Sequence, residues 1–513
     1  MKQINTVKFV VLFMTGISLL PDGAAYAQRS ANQTSGSPAK INVVILISDQ
    51  HAHNFLGCAG FGKIRTPTYD RLADEGIRFT QATVAATVCT PSRHSLFHGL
   101  YSFQTGIFTN GHCIPLADIP RFTMGRIFRE AGYATAAIGK MHWFTYGATI
   151  PEGNYFGFDY RVGTFHESGQ KMITHFVKEH RDIMERYMAE RKEHGISFGG
   201  DGCAAAYLGF VSKLRSDEFG DWWLAGKAAE FIDAHRDRPF LLVCSLQGPH
   251  APSVVPADYK DMYDPDDPSQ VPVPQQPPKG LPDARKYKRF KGLTREDLKK
   301  VVANYMACVT HKDACHARVI EALERNGLYD KSLVVYCSDH GELLASRGVT
   351  SFSKYNLYEQ AIRVPLIIKP PKHLAEHVGR TSDDLTSLVD VLPTVLEMAG
   401  MPGADRLPGI SLAPLFQGEP MKRQRKVALS MLGDHAVAVR SREWKLIINR
   451  QSQELYQLAD DPLEFRNLAD RTDSAQQIAE LKDYLLDEYR HAFQSMGPKC
   501  RAYQRQKFDI FDP

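Results

Sequence analysis

A cysteine, a proline and an arginine lie close together in the stretch Cys89-Thr90-Pro91-Ser92-Arg93. Proline fixes φ and has no N–H, so Pro91 suits the first turn of a helix, and Cys89 would then lie at the positive N-terminal end of that helix. Arg93 adds a permanent charge whose planar donors match sulfate or phosphate oxygens. Taken alone, the stretch is explained equally well by a nucleophile that faces an anion and by a small buried cysteine beside a helix cap.

Further polar residues follow predicted strands. They are Asp49 and Gln50 after residues 41–47, Lys140 and His142 after residues 133–138, His250 after residues 240–246, and Asp339 and His340 after residues 332–337. The run at residues 41–47 is continuously apolar and β-branched, which is typical of a parallel strand buried on both faces. Because ligands of open α/β sheets bind beyond the carboxyl ends of strands, these residues are candidates for one site.

Each of these residues also has an ordinary explanation. An aspartate such as Asp49 can cap the next element, a lone lysine is usually solvated, and a lone histidine is usually satisfied in the core. Lys140 and His142 are two residues apart on an extended segment and therefore project to the same side. A histidine at the position of His250 can bond an oxyanion or protonate a departing alcohol. The residues become a strong signal only when they are taken together.

The stretch from Cys89 to Arg93, followed by Leu96 and Gly99, resembles the signature of the type I sulfatases of the alkaline phosphatase-like superfamily. In that family a formylglycine-generating enzyme oxidises the cysteine to formylglycine, whose hydrated aldehyde carries two hydroxyls. One hydroxyl attacks sulfur, and the other, on losing its proton, releases the sulfate and restores the aldehyde. This chain departs from the commonest form at His98, where the family usually has threonine.

The resemblance extends to other segments and implies roles for their residues. Gly139-Lys140-Met141-His142 resembles the family's G-K-x-H motif, in which the lysine contacts the sulfate and the histidine orients the nucleophile. The segments around His250, Asp339 and Lys354 also resemble sulfatase segments. The catalytic residues implied are Cys89, Arg93, Lys140, His142, His250 and Lys354.

A divalent cation is also implied by the resemblance. Its ligands would be Asp49, Gln50, Cys89 as formylglycine, Asp339 and His340. Oxygen ligands suit calcium or magnesium, and the imidazole of His340 moves the preference toward manganese. We expect calcium, with magnesium and manganese as alternatives. Gln50 stands where a second acid is common, a variation also found in the phosphonate monoester hydrolases of the superfamily.

Residues 1–27 resemble a secretory signal peptide. They contain Lys2 and Lys8, an apolar run from residue 9 to residue 20, and Ala25-Tyr26-Ala27 as a cleavage site. The apolar run is shorter than the roughly 20 residues that span a membrane. We therefore expect export to the periplasm or medium without a membrane span. A formal net charge of +4 over 513 residues gives no indication of nucleic-acid binding.

The order of predicted elements favours an α/β fold. Its main part would be a large mixed, mainly parallel sheet sandwiched by helices, as in the alkaline phosphatase-like superfamily, within a catalytic domain at residues 38–418. After residue 418 the pattern changes to alternating strands at residues 427–431, 436–440, 444–448 and 454–458, then to a helix with one apolar face. These elements predict a C-terminal subdomain at residues 419–513, built from a small antiparallel sheet and a helix.

The sequence therefore predicts a sulfatase that acts on a sulfated saccharide, as in the degradation of a sulfated polysaccharide. Export and long loops motivate the substrate, and His53, Asn110 and His112 are candidate substrate-binding residues, although each is explained equally well as a loop cap. Two other classes remain open. A phosphonate or phosphate ester hydrolase would use the same residues, and a glycan-binding protein without activity would not need them all.

Overall fold

The computed structural model describes residues 40–111, 123–143, 156–163, 175–196, 204–271, 293–347 and 354–494. The predicted signal peptide and His112 lie outside these residues. The strands are β1 Asn42–Asp49, β2 Ile77–Thr83, β3 Ala134–Gly139, β4 Tyr160–Val162, β5 Phe210–Val211, β6 Phe240–Pro249, β7 Val254–Val255, β8 Ser332–Ser338, β9 Leu366–Lys369, β10 Arg380–Ser387, β11 Ala428–Leu432, β12 Ala436–Arg440, β13 Trp444–Asn449 and β14 Gln453–Gln457.

Helices alternate with the strands over most of the chain. They are α1 Pro67–Asp74, α2 Cys89–His98, α3 Ser102–Thr105, α4 Met124–Glu130, α5 His175–Glu179, α6 Arg181–Glu193, α7 Ala204–Leu208, α8 Gly220–Ala234, α9 Arg295–Arg325, α10 Glu359–Ile362, α11 Val391–Met398 and α12 Ala475–Gln494. No helix in the described ranges is long and apolar enough to cross a membrane.

The main sheet has eight strands in the order β10-β2-β9-β8-β1-β6-β3-β4. All neighbouring pairs are parallel except that β9 runs antiparallel to both β8 and β2. Every residue of the central strand β1 is buried, as its β-branched sequence predicts for a strand covered on both faces. Helices α1, α8 and α9 cover one face through a core that includes Val44 and Leu242. The predicted mixed, mainly parallel sheet is confirmed.

The strands β11 to β14 form the small antiparallel sheet predicted for the C-terminal part of the chain. Helix α12 packs on it through the predicted apolar face, with Leu481 fully buried against strand residues such as Leu446. The division of the chain at residues 418 and 419 stays a prediction.

The C-terminal sheet bonds directly to the segment that precedes α2. The N–H of Thr87 donates to the carbonyl of Met431 over 3.1 Å, and the N–H of Met431 donates to the carbonyl of Ala85 over 2.9 Å. A buried arginine, Arg425, links the residue Tyr101, which follows α2, to α12, because its guanidinium donates to the hydroxyl of Tyr101 and to the carboxylate of Glu488. The segment leading to Cys89 is therefore fixed by backbone hydrogen bonds to β11, and the residues after α2 are fixed by Arg425.

Candidate active site

Helix α2 places Cys89 at its first position, as the sequence predicts. All ten residues of α2 are buried, and Pro91 lies in the first turn, where its missing N–H costs no hydrogen bond. The N–H of Thr90 donates to Oδ1 of Asn110 over 2.9 Å. Asn110, a candidate for substrate binding, thus satisfies one of the free N–H groups at the start of the helix that carries Cys89.

The polar residues that follow the strands meet around the sulfur of Cys89. Nζ of Lys354 lies 2.9 Å from Sγ, Nε2 of His340 3.2 Å and Nζ of Lys140 3.9 Å. Lys140 reaches this point because β3 and β6 approach closely at Gly139, where a Cβ would lie 1.9 Å from the carbonyl oxygen of Ser245. The convergence follows from the parallel strands, whose carboxyl ends share one edge of the sheet.

Arg93 bridges the two carboxylates of the cluster. Its Nη2 lies 2.9 Å from Oδ2 of Asp49, and its Nε lies 2.9 Å from Oδ2 of Asp339. The guanidinium is fully buried and also donates to the hydroxyl of Ser245 over 2.8 Å. Arg93 therefore fixes the orientation of both carboxylates, a role that its sequence position did not indicate.

Four of the predicted metal ligands form a compact donor set. One ligand atom each from Asp49, Cys89, Asp339 and His340 lies within 4.8 Å of the other three. Nδ1 of His340 lies 3.0 Å from the carbonyl of Gly341, so it carries the hydrogen and leaves the Nε2 lone pair facing the cluster. Metal-ligating histidines have this arrangement, because the bond from the other ring nitrogen fixes the tautomer.

Two buried oxygens at this place accept no hydrogen bond within the described part of the chain. They are Oδ1 of Asp49 and Oε1 of Gln50. Buried polar atoms without a partner are uncommon because losing water without replacing it is costly. A divalent cation would satisfy both oxygens, so the residues present fit the expected metal.

Gln50 adopts a left-handed backbone conformation with φ of 63°, which is unusual for a residue with a side chain. Its N–H donates to Oδ1 of Asp339 over 3.1 Å, and its carbonyl accepts from the hydroxyl of Tyr305 over 2.6 Å. Its side-chain amide nitrogen donates to Glu342, which leaves Oε1 free for a ligand. Strain of this kind persists where the surroundings impose it, and such positions cluster at functional sites.

Glu342 and Tyr305 were missed by the sequence analysis. Glu342 stands three residues after Asp339, and this spacing was the available signal. Tyr305 lies inside the long helix α9, whose pattern indicates only a packed helix.

The electrostatics of the cluster favour a negative group at position 89. Burial raises the pKa of the Cys89 thiol, but Lys140, Lys354 and His340 together hold that pKa well below its ordinary value. Burial also raises the pKa of Asp49, as does Cys89, whereas Lys140, His250 and Arg93 outweigh both and hold it well below the usual range. The Cys89 thiol and the Asp49 carboxyl are therefore ionised beside these groups.

The two lysines keep their charge for the same reason. Burial lowers the pKa of Lys140, but Asp49 and Cys89 raise it above its ordinary value. The pKa of Lys354 is likewise raised, because Cys89 and Asp49 outweigh the effect of burial. In contrast, burial lowers the pKa of His142, so its imidazole is neutral beside Cys89.

His250 lies at the rim of the cluster. Its Nδ1 lies 2.7 Å from the carbonyl of Ala251, so Nδ1 carries the hydrogen and Nε2 accepts from Nζ of Lys354 over 2.9 Å. The imidazole also lines a cleft whose wall is mostly apolar. This wall includes Phe176, Ile183, Met184, Tyr187, Leu214 and Phe219.

The structure does not bring His53 to this cluster. His53 lines a different pocket, together with Arg78 and Arg363. The other predicted site residues among the described ranges are Asp49, Gln50, Cys89, Arg93, Asn110, Lys140, His142, His250, Asp339, His340 and Lys354, and contacts link each of them to the cluster.

The cluster around Cys89 lies at the carboxyl edge of the main sheet, and its lysines and Arg93 are suited to binding an anion. A family model described as Sulfatase matches residues 41–401, and one described as N-sulphoglucosamine sulphohydrolase, C-terminal, matches residues 349–491. The chain belongs to the sulfatase family and is a sulfuric ester hydrolase.

Individual relatives agree with this assignment. The chain is 28% identical to an ulvan-active sulfatase of Formosa agariphila over 84% of this chain and 76% of that one. It is 26% identical to an N-acetylglucosamine-6-O-sulfatase of Bacteroides thetaiotaomicron over 94% and 91% of the two chains. A solved phosphonate monoester hydrolase of Agrobacterium radiobacter superposes with a TM-score of 0.70 at 21% identity, covering 89% of this chain and 96% of that one. The fold is thus alkaline phosphatase-like.

Proposed function

We propose that the enzyme hydrolyses the sulfate ester of a saccharide, with residue 89 as the nucleophile after conversion of Cys89 to formylglycine by a formylglycine-generating enzyme. A hydrated formylglycine would supply one hydroxyl to attack sulfur and a second whose deprotonation restores the aldehyde. The observation that carries the proposal is the position of Cys89, whose sulfur lies within 4 Å of Lys140, His340 and Lys354. Comparing turnover of sulfate esters with and without an intact Cys89 tests it.

The side chains around residue 89 would have different roles in the reaction. Lys140 and Lys354 keep their charge when buried and would offset the charge of the sulfuryl group as it is transferred. His142 would orient the nucleophile from its neutral imidazole. Arg93 would hold Asp49 and Asp339 in place, since it bonds both carboxylates.

Asp49, Gln50, Asp339 and His340 would hold a divalent cation, for which we propose calcium. When bound, the cation would polarise a sulfate oxygen. Support comes from the two buried oxygens without hydrogen-bond partners and from the lone pair of His340 that faces the cluster.

Nζ of Lys354 donates to Nε2 of His250 over 2.9 Å, and we assign to this pair the protonation of the departing oxygen. His250→Ala is therefore expected to lower kcat about a hundredfold on a saccharide sulfate, whose alcohol is a poor leaving group. The loss should be much smaller on an aryl sulfate, whose phenolate leaves without help. Steady-state kinetics on both substrates measure the contrast.

The matched control is His235→Ala, because His235 is a half-buried histidine at the end of α8, outside the cluster, whose Nδ1 bonds the carbonyl of Phe231. It should leave both rates unchanged. Equal losses on the saccharide and aryl sulfates in His250→Ala would contradict the assignment of the proton donor.

A saccharide fits the site in two respects. Related chains are named for activity on ulvan and on N-acetylglucosamine-6-O-sulfate. The cleft beside His250 also offers Phe176, Tyr187 and Phe219, whose apolar faces can cover the C–H bonds of a sugar ring. Export through the signal peptide at residues 1–27 would place the enzyme where sulfated polysaccharides are degraded.

The charges that line the cleft are already paired. Lys312 lies 2.6 Å from Asp221, and Glu218 accepts from Arg186 over 2.5 Å. A second sulfate on the ring held there would be desolvated without a counterion. We expect a saccharide sulfated only at the scissile position to have a kcat/KM at least about tenfold above that of the same saccharide with a second sulfate on that ring.

Substitutions at Met184 in the wall of the cleft extend this test. Met184→Glu should lower kcat/KM for the singly sulfated saccharide, and Met184→Leu should not, because it keeps the volume and polarity of the side chain. Faster hydrolysis of the doubly sulfated saccharide would contradict a neutral cleft.

A phosphonate or phosphate ester hydrolase is the second candidate. The observation that favours it is the donor set, in which Gln50 and His340 stand where many sulfatases have an acid and an asparagine. Sulfate, phosphate and phosphonate esters of one alcohol should be compared with the same enzyme preparation. A kcat/KM for the phosphonate above that for the sulfate would reverse the order of the candidates, and any metal-dependent turnover excludes a purely glycan-binding role.

A further inference from the structure

A second pocket lies between the loop that follows β1, the strand β2 and the residues that precede β9. Its lining includes His53, Asn54, Arg78, Thr80, Arg363 and Pro365. No residue of the catalytic cluster lines it. Its polar lining groups are mostly hydrogen-bond donors, in contrast to the apolar cleft beside His250.

Arg78 is the first unusual feature of the pocket. It is half-buried on β2, where its backbone pairs with β9 and β10, but its guanidinium makes no hydrogen bond or ion pair with any residue in the described part of the chain. A guanidinium is charged at every physiological pH and keeps five N–H donors to be satisfied. A half-buried arginine without an acceptor is therefore expected to hold water or an anion.

Arg363 and His53 add further donors to the same pocket. Nη2 of Arg363 donates to the carbonyl of Thr80, but its Nε is buried and has no acceptor among the described residues. Nδ1 of His53 is likewise buried without a partner there. Burial lowers the pKa of Arg363, and Arg440 and Arg78 lower it further, which outweighs the opposite effect of Glu359.

The nearest carboxylate is already used by other cations. Glu359 lies 3.7 Å from Nη1 of Arg363, but it accepts from Nε of Arg440 over 3.0 Å and from Nζ of Lys445 over 3.2 Å. Glu464 also pairs with Lys445, so two carboxylates face the three cations Arg363, Arg440 and Lys445, and Arg78 stands beside them. The pocket carries positive charge that the surrounding side chains do not balance.

We propose that this pocket is an oxyanion site separate from the active site, in which Arg78, Arg363 and His53 hold a sulfate, phosphate or carboxylate group. The planar fork of a guanidinium matches two oxygens of such a group, and the buried Nε–H of Arg363 would supply a further bond. The inference does not depend on the reaction proposed for Cys89, because none of the groups involved belongs to the catalytic cluster.

The test uses full-length protein and inorganic sulfate at fixed ionic strength, with chloride as the reference salt. Thermal unfolding should show a sulfate-dependent rise in Tm in the native protein, and Arg78→Gln should lose roughly half or more of that rise. The active site contributes equally in both proteins, since Arg78 is outside it. Arg161→Gln, at an exposed arginine on β4, is the matched control and should keep the full rise.

Arg78→Lys keeps the charge but loses the planar fork, so it should retain part of the sulfate-dependent rise in Tm. A partial rise in this variant shows that the loss in Arg78→Gln reflects weaker binding of sulfate and not a failure to fold. Crystals grown with selenate should show an anomalous peak between Arg78 and Arg363. Equal sulfate effects in the native protein and Arg78→Gln, or selenate in the active site alone, would overturn the proposal.

A further comparison distinguishes a free anion from an anionic group of a saccharide. If the group belongs to a saccharide, Arg78→Gln should raise the Kd of a sulfated tetrasaccharide about tenfold or more in chloride buffer. If the ligand is a free anion, the tetrasaccharide Kd should stay unchanged while the effect of inorganic sulfate is lost. Both outcomes support an oxyanion site. If Arg78→Gln changes neither the tetrasaccharide Kd nor the effect of inorganic sulfate, the proposal is refuted.

Discussion

Replacement of Cys89 by serine is expected to lower kcat by at least about a thousandfold while substrate still binds. A serine at this position offers one hydroxyl, so it can attack sulfur but cannot release the sulfate by re-forming an aldehyde. The cationic lysines Lys140 and Lys354 are unchanged in this variant, and they would still hold the sulfate group. Single-turnover kinetics of Cys89→Ser should therefore show attack on the substrate, whereas steady-state kinetics should show almost no turnover.

Mass spectrometry of the peptide that contains residue 89 completes this test. Active native protein should show loss of the thiol and gain of an aldehyde. Cys58→Ser is the control, since Cys58 is a half-buried free cysteine outside the cluster, and it should keep full activity. Fully active protein with only an unmodified thiol at residue 89 would refute the proposed nucleophile.

Asp339→Asn is expected to cause the second large loss, about a thousandfold in kcat, together with loss of bound divalent metal. Asp339 is buried, accepts from the N–H of Gln50 over 3.1 Å and bonds Nε of Arg93 over 2.9 Å. An amide removes the negative charge from the donor set and leaves Arg93 partly unbalanced. Metal content should be measured by mass spectrometry, and activity should be measured after chelation and readdition of calcium. Both should be lower in Asp339→Asn than in the native protein.

Asp313→Asn is the matched control for this carboxylate. Asp313 is a buried carboxyl on α9 that accepts from the N–H groups of Thr68 and Tyr69, outside the metal cluster. Burial raises its pKa to about 7, so an amide replaces a group that is already partly neutral. Metal content should stay at the native level in this variant.

The comparison with His340→Ala identifies the metal. We expect this variant to lose less metal than Asp339→Asn, because calcium prefers oxygen ligands. A larger loss in His340→Ala, with a clear preference for manganese, would favour the phosphonate hydrolase.

The elements that carry the site could be predicted because their signals are local. The β-branched run of β1 and the position of Pro91 in α2 each indicate one structure, and the topology of parallel strands then brings Asp49, Lys140 and Asp339 together. The antiparallel direction of β9 could not be predicted, because a short apolar run carries no information on the direction of its neighbours.

The finer contacts of the site depend on tertiary packing. The left-handed conformation of Gln50 is imposed by Asp339 and Tyr305, which lie far away in the sequence. His53 was expected near the substrate because it follows Asp49 closely. The loop after β1 instead carries it to the pocket of Arg78, since no periodicity governs the direction of a loop.

The bonds between Met431 and the backbone around Thr87 also bear on the maturation of the enzyme. Cys89 is 1% exposed in the finished fold, and the strand that clamps the residues before it comes from near the end of the chain. Under the proposed conversion of Cys89 to formylglycine, the oxidising enzyme would have to reach this thiol before the strand that contains Met431 pairs with the segment leading to Cys89. Each molecule would then keep the residue with which it folded, so the active fraction of a preparation would be set before folding is complete and would not change with later addition of the oxidising enzyme.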